Sequence, residues 1–177
     1  MNSLIAVIAL LLLLSFLLKA SFLPRIWALA SALLMGVVVW LAIPWLTRQS
    51  PNDVASWTAE PERLQDIAVC IVLEALLMGT FCFTRPAGRW KALRFYPGLL
   101  AFPAVCWIWA QGLFSSPGLD FGRFGLVAAL VTLAVAGGGG QLLRRLLPDE
   151  ELRVEGLFLV NLFLILLTVA ATGAITF

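Results

Sequence analysis

The chain alternates long apolar runs with short charged connections, and this rhythm restricts its fold more than any other feature. Six apolar segments are drawn at Ser3 to Leu18, Ile26 to Leu46, Leu64 to Phe83, Tyr96 to Phe114, Phe121 to Leu143 and Leu152 to Thr176. A helix of about 20 apolar residues crosses a hydrocarbon layer of about 30 Å, and the connections are too short to hold a soluble domain between crossings. Inside lipid each segment must satisfy its own backbone hydrogen bonds. The expectation is therefore all-α: one integral membrane bundle of six transmembrane helices over residues 1–177. Composition agrees, with 62% hydrophobic and 12% charged residues.

The first segment is the shortest, and its Leu4 to Leu18 core has the length of a signal-peptide core. Its flanks differ, because Met1-Asn2-Ser3 has no side-chain charge and the first cation, Lys19, follows the apolar run. It is predicted to be a retained helix. Orientation follows from the distribution of basic residues, which are enriched in cytoplasmic loops. One side of the alternation collects Lys19, Arg25, Arg85, Arg89, Lys91, Arg94, Arg144, Arg145 and Arg153, and the other only Arg48, Arg63 and Arg123. Both termini are thus expected outside, in the periplasm of a Gram-negative host, with the chain in the bacterial inner membrane. The net charge of +2 reports this topology and gives no nucleic-acid footprint.

Glu74 is the only charged residue in the middle of any apolar run. An acidic side chain at mid-helix costs about 3 kcal/mol on insertion scales, so its presence marks a candidate functional site. No Lys or Arg lies at its depth in the sequence pattern. Two readings remain open: a carboxyl that handles protons or ions, or a neutral one that hydrogen-bonds a backbone group or a neighbouring subunit. Asn161 and Gln111 are the next most deeply placed polar residues, expected to make interhelical hydrogen bonds. In the run Gly137 to Gly140, the pairs Ala134/Gly138 and Ala136/Gly140 have the small-xxx-small spacing of close helix packing, and a local hinge is the alternative. Pro44 and Pro103 are placed to bend their helices.

Other features belong to the frame. Ser50-Pro51-Asn52-Asp53 resembles a capping box and predicts a short helix along the outer surface, with Val54 and Trp57 on one face. Trp40, Trp45, Trp57, Trp107 and Trp109 fall toward the outer side and read as an aromatic belt or a docking surface. The turn from Arg85 to Arg94 is expected to meet anionic lipid headgroups. Asp149, Glu150 and Glu151 are expected to complement the dipole of the last helix. Cys70, Cys82 and Cys106 read as buried packing residues.

Chemistry has little material. The chain contains no histidine, which removes bis-histidine haem ligation, the usual zinc sites and the commonest general base. No paired carboxylates or nucleophile–base cluster is visible. The expectation is a non-enzyme with no catalytic, cofactor-binding or metal-binding residues.

The stretch Ile43-Pro-Trp-Leu-Thr-Arg-Gln-Ser-Pro51, then Ala55-Ser-Trp57, Leu64-Gln-Asp-Ile-Ala-Val69 and the Glu74 helix ending Phe81-Cys-Phe83 resembles a small polytopic membrane protein of Gram-negative haemin-uptake loci. Such proteins accompany an ExbB/TolQ-type proton channel, an ExbD-like partner and a cobaltochelatase-like protein. The resemblance covers the first half of the chain. It implies a non-catalytic inner-membrane subunit of a complex that uses proton-motive force in haem, tetrapyrrole or outer-membrane transport. The alternative expectation is a small proton-coupled transporter or channel acting as a homo-oligomer.

Overall fold

The computed structural model describes residues 2–54, 60–84, 91–115 and 120–173. Trp57, Arg85, Arg89, Trp90 and Thr176 lie outside these. The helices are α1 (Asn2–Ala20), α2 (Arg25–Leu46), α3 (Pro61–Thr84), α4 (Lys91–Phe95), α5 (Ala101–Phe114), α6 (Phe121–Leu146) and α7 (Glu150–Gly173). Among the described residues there is no strand. The protein is all-helical, and α1, α2, α3, α6 and α7 are long and apolar enough to cross a membrane.

The fourth apolar segment departs from the expected continuous helix. Regular helix begins only at Ala101, and residues 96–100 are unwound. The 14 residues of α5 span about 21 Å at 1.5 Å per residue, less than a hydrocarbon layer. The physical cause is Pro97-Gly98: proline disfavours helix at the residue before it, and Gly98 sits at φ 97°, a left-handed conformation that ends regular structure. Pro103 consequently bends nothing. It falls in the first turn of α5, where a backbone N–H would have no intrahelical acceptor anyway.

Helix α1 is central, packed on α5, α6 and α7, while α2 pairs with α6 and α3 with α7. Large aliphatic residues such as Leu33, Leu41, Leu130 and Leu166 point outward and are more than half exposed. The interior holds small residues, including Ala28, Ala32, Ala128 and Ala136, together with Ser15, Thr132, Glu74 and Asn161. A surface as apolar as the core is what lipid requires, and it leaves close packing rather than water exclusion to hold the helices together.

The glycine run supplies that closeness, in a different register from the one expected for half of it. Helix α6 runs unbroken through Gly137–Gly140, so the run is no hinge. Ala128, Thr132, Ala136 and Gly140 recur every four residues on the buried face. A Cβ on Gly140 would lie 3.0 Å from Ala20 Cβ and 3.1 Å from its backbone carbon. Ala134 and Gly138 are both exposed, and a Cβ on Gly138 would meet nothing within 4 Å. Two residues of offset turn that pair about 200° around the helix. Gly139 against Leu17 and Gly137 against Ala32 take the place expected of Gly138.

The capping box forms as the sequence predicts. Asp53 Oδ2 accepts from Ser50 N–H at 2.9 Å, and Ser50 Oγ accepts from Asp53 N–H at 3.1 Å. Residues 51–54 are helical and Val54 is buried. The Ser50 backbone bond, then its side-chain bond, holds the Asp53 carboxyl below its ordinary range.

Two outcomes follow. Gly140→Leu lowers unfolding stability in detergent by about 1–3 kcal/mol through overpacking, whereas Gly138→Leu stays within about 0.5 kcal/mol; equal losses would contradict the seam. Because the folded-state pKa of Asp53 is depressed, its stabilising bond is fully present above the unfolded value of about 3.9 and is lost as pH falls through the lower folded value. NMR titration of Asp53 checks this against Asp53→Asn, which removes the titration.

Candidate functional site

Glu74 lies ten residues before the end of the 24-residue α3, about 15 Å along the helix from that end. Its side chain is 9% exposed. One oxygen, Oε2, accepts three hydrogen bonds: from Tyr96 O–H at 2.9 Å, Leu99 N–H at 3.0 Å and Leu100 N–H at 2.9 Å. The donors lie in the unwound segment and at the N-cap of α5, where Leu100 has no capping side chain of its own. A carboxylate from another helix therefore caps α5. The opening of a helix carries orphan N–H groups and about half a positive charge, which an acceptor oxygen complements.

The backbone hydrogen bonds expected under the second reading of Glu74 are present, with the donors inside the same chain. The tyrosine was not singled out in the sequence, although Tyr-Pro-Gly opening an apolar segment is a break signal. Gly98 packs against the site from below. A Cβ there would lie 3.3 Å from both Glu74 Oε1 and Met78 Cε, so close approach and positive φ both require glycine.

Asn161 makes one interhelical bond of the kind expected of it and one bond within its own helix. Its Nδ2 donates to Ser15 Oγ at 3.0 Å and to Leu157 O at 2.7 Å, joining α7 to α1. Helices α3 and α7 pack together, yet Asn161 bonds Ser15 rather than Glu74. Gln111 is half-buried in α5 and its backbone carbonyl accepts from Ser115 Oγ at 2.7 Å; among the described residues its side chain makes no interhelical bond. Trp109 instead ties α5 to α6, its half-buried ring donating through Nε1 to Thr132 Oγ1 at 2.8 Å. Cys70 is exposed and Cys82 half-buried, which corrects their reading as buried packing residues, while the half-buried Cys106 packs against the core.

Two cavities flank these contacts. One, of about 660 Å³, lies between α1, α2, α3 and α5, is lined by apolar residues such as Ala42, Ile71 and Trp107, and carries Asp66 as its charged group. Leu100, beside the Glu74 cap, is part of its wall. The second, of about 470 Å³, lies where α3 ends and α7 begins, and its lining includes Phe81, Arg94 and Glu151.

Near the second cavity two of the basic residues counted for orientation lie apart from the solvated connections. Lys19 and Arg153 were expected in loops, but both are inside the bundle, 0% and 6% exposed. Lys19 Nζ stands 2.8 Å from the centroid of the Phe81 ring and has no hydrogen-bond partner among the described residues. Arg153 Nη1 donates to Ser21 O at 3.4 Å, and its guanidinium lies 5.0 Å from the Phe22 centroid. Phe22 and Phe81 meet edge to face at 5.7 Å. The legible signal for Lys19 was the continuation of the apolar run beyond it, through Ala20 and Phe22 to Leu23.

Among the described residues no group of three or more His, Cys, Asp or Glu is placed to hold a metal ion. No protein-family model, curated protein or solved structure matches the chain.

Glu74→Ala strands two N–H groups and a hydroxyl at a cost of about 1–3 kcal/mol each, so unfolding in detergent should show a loss of about 3 kcal/mol or more. Glu74→Gln keeps an acceptor and loses less. Gly98→Ala should cost about 1–3 kcal/mol from backbone strain, and an unchanged stability in that variant would contradict the described turn.

Proposed function

We propose that this protein is a non-catalytic, multi-pass subunit of a multiprotein assembly in the bacterial inner membrane, crossing six times with both termini outside. In this topology α5 and the unwound residues before it make up the fourth crossing. One observation carries the reading: the mid-depth polar groups hold the chain's own helices together. Glu74 is taken up by Tyr96, Leu99 and Leu100, and Asn161 by Ser15 and Leu157. Of the two cavities, the one beside Glu74's helix cap is apolar and the polar one sits at the end of the bundle. A polypeptide that spends its buried polarity on its own architecture is suited to scaffolding. The resemblance of residues 43–83 to proteins of haemin-uptake loci supports partners of the ExbB/TolQ and ExbD type, and a role in proton-motive-force-driven haem, tetrapyrrole or outer-membrane transport.

A second reading has its own observation. A carboxylate at the N-terminus of a half-length helix, beside unwound backbone, resembles the discontinuous helices at the ion sites of secondary transporters. Protonating Glu74 would remove the charge that complements the α5 dipole. That geometry favours a proton-coupled transporter or channel acting as a homo-oligomer.

Affinity purification from gently solubilised native membranes should recover other integral membrane subunits in fixed stoichiometry. A stable, monodisperse monomer without companions would reject the subunit reading. Purified protein in vesicles under a pH gradient should pass no protons alone; flux that disappears in Glu74→Gln would establish the second reading.

A further inference from the structure

The apolar cavity of about 660 Å³ has a level in the bundle as well as a volume. Its wall runs from Ile5 to Leu12 on α1, from Val38 to Leu46 on α2 and from Asp66 to Ile71 on α3. Each stretch reaches from near one end of its helix to about the middle. At 1.5 Å per residue the stretch on α2 is about 12 Å long, and the one from Leu100 to Ala110 about 15 Å. Leu100, whose N–H bonds the mid-helix Glu74, walls the deep end. The cavity is therefore a cleft parallel to the helices, as long as one leaflet of a hydrocarbon core of about 30 Å.

Water is a poor occupant for such a cleft. A buried water needs two to four polar partners, whereas the walls are aliphatic and aromatic side chains with two thiols, and Asp66 is the charged group among the described residues. An empty cleft would forfeit the dispersion contacts of its whole lining. Entry lies to the side: Trp45 and Ile67 belong to the wall yet are 50% and 42% exposed, and Cys70 beside them is exposed too. Close packing sets α3 on α7 and α4, and α2 on α6 and α5, which leaves the cleft between the two sets.

We infer that this cleft holds one acyl chain of a membrane phospholipid, entering between α2 and α3 and ending against Leu100. Length selects this occupant, because a partner's crossing helix needs a face along the full height of the core and the cleft stops at mid-depth. Charge selects it as well. Among the described residues no cationic side chain lines the cleft, so an anionic headgroup finds no counter-ion and retention rests on the uncharged chain. The inference goes beyond the proposed function and holds under either functional reading, since it requires only that the bundle sits in a membrane.

The test uses the full chain, purified from vesicles of equal parts choline and glycerol phospholipid, with retained lipid measured by native mass spectrometry. One phospholipid per chain should persist, the two headgroups in similar amounts. Ala42→Phe, which fills the cleft, should cut retention several-fold, and Gly138→Leu, on a face where an added Cβ meets nothing within 4 Å, should leave it unchanged. Equal retention in the two variants would overturn the inference, as would a wild-type chain without lipid or a strong preference for either headgroup. Protein drawn from native membranes with an isoprenoid or another polypeptide in place of phospholipid would overturn it too. Should Ala42→Phe fail to fold, the wild-type cysteines read the cleft, because Cys106 lines it and Cys82 lines the other cavity. Phospholipid added to delipidated protein should slow alkylation of Cys106 by a lipid-soluble maleimide several-fold and leave Cys82 unchanged; equal changes at both would overturn the inference.

Discussion

Hydrocarbon offers no hydrogen bonds, so a crossing segment that breaks its helix must find acceptors for the exposed backbone within the protein. The fourth apolar segment breaks at residues 96–100, and the carboxylate of Glu74 supplies the acceptor. One oxygen receives two backbone N–H groups and the Tyr96 hydroxyl. The arrangement is mutual: the broken helix needs an acceptor at its opening, and the buried carboxyl needs donors. Each removes the penalty of the other. Gly98 permits the approach, and Pro103 falls where its missing N–H does no harm. The start of α5, set by this contact, also places Leu100 in the wall of the apolar cavity.

The remaining helices are held by shape. With leucine and valine on the outer faces and alanine and glycine within, apolar transfer does not distinguish the inside from lipid, and stability comes from backbones brought close. Gly139 on Leu17, Gly140 on Ala20, Gly125 on Ile43 and Gly36 on Ala129 mark close approaches. They join α6 to α1 and α2, and Asn161 with Ser15 joins α7 to the same central helix. Helix α1 thereby becomes the axis on which both outer pairs are mounted.

At one end of this axis the packing encloses charge. Lys19 and Arg153 approach Phe81 and Phe22, and the two rings contact one another. Arg153 has carbonyl acceptors, whereas among the described residues Lys19 meets the aromatic face without a hydrogen-bond acceptor. Glu74 and Lys19 thus present opposite cases of buried polar side chains in one small bundle, the first bonded through Oε2 to its own chain and the second without a hydrogen-bond partner among the described residues.

Apolar run length determined the helical class and five long membrane-compatible helices, because hydrocarbon thickness and the 1.5 Å rise leave little choice. Local chemistry also determined the Ser50–Asp53 cap, since its partners are three residues apart. Glu74 stood out as a site because a mid-run charge is legible without any neighbour. Its partners were not legible: Tyr96, Leu99 and Leu100 are 22 to 26 residues away, and only the path of the chain brings them to it. The same reason separates Gly140 from Gly138 and puts Lys19 inside the bundle. Spacing reveals which residues share a face, but only tertiary packing decides whether that face meets lipid, another helix or a cavity.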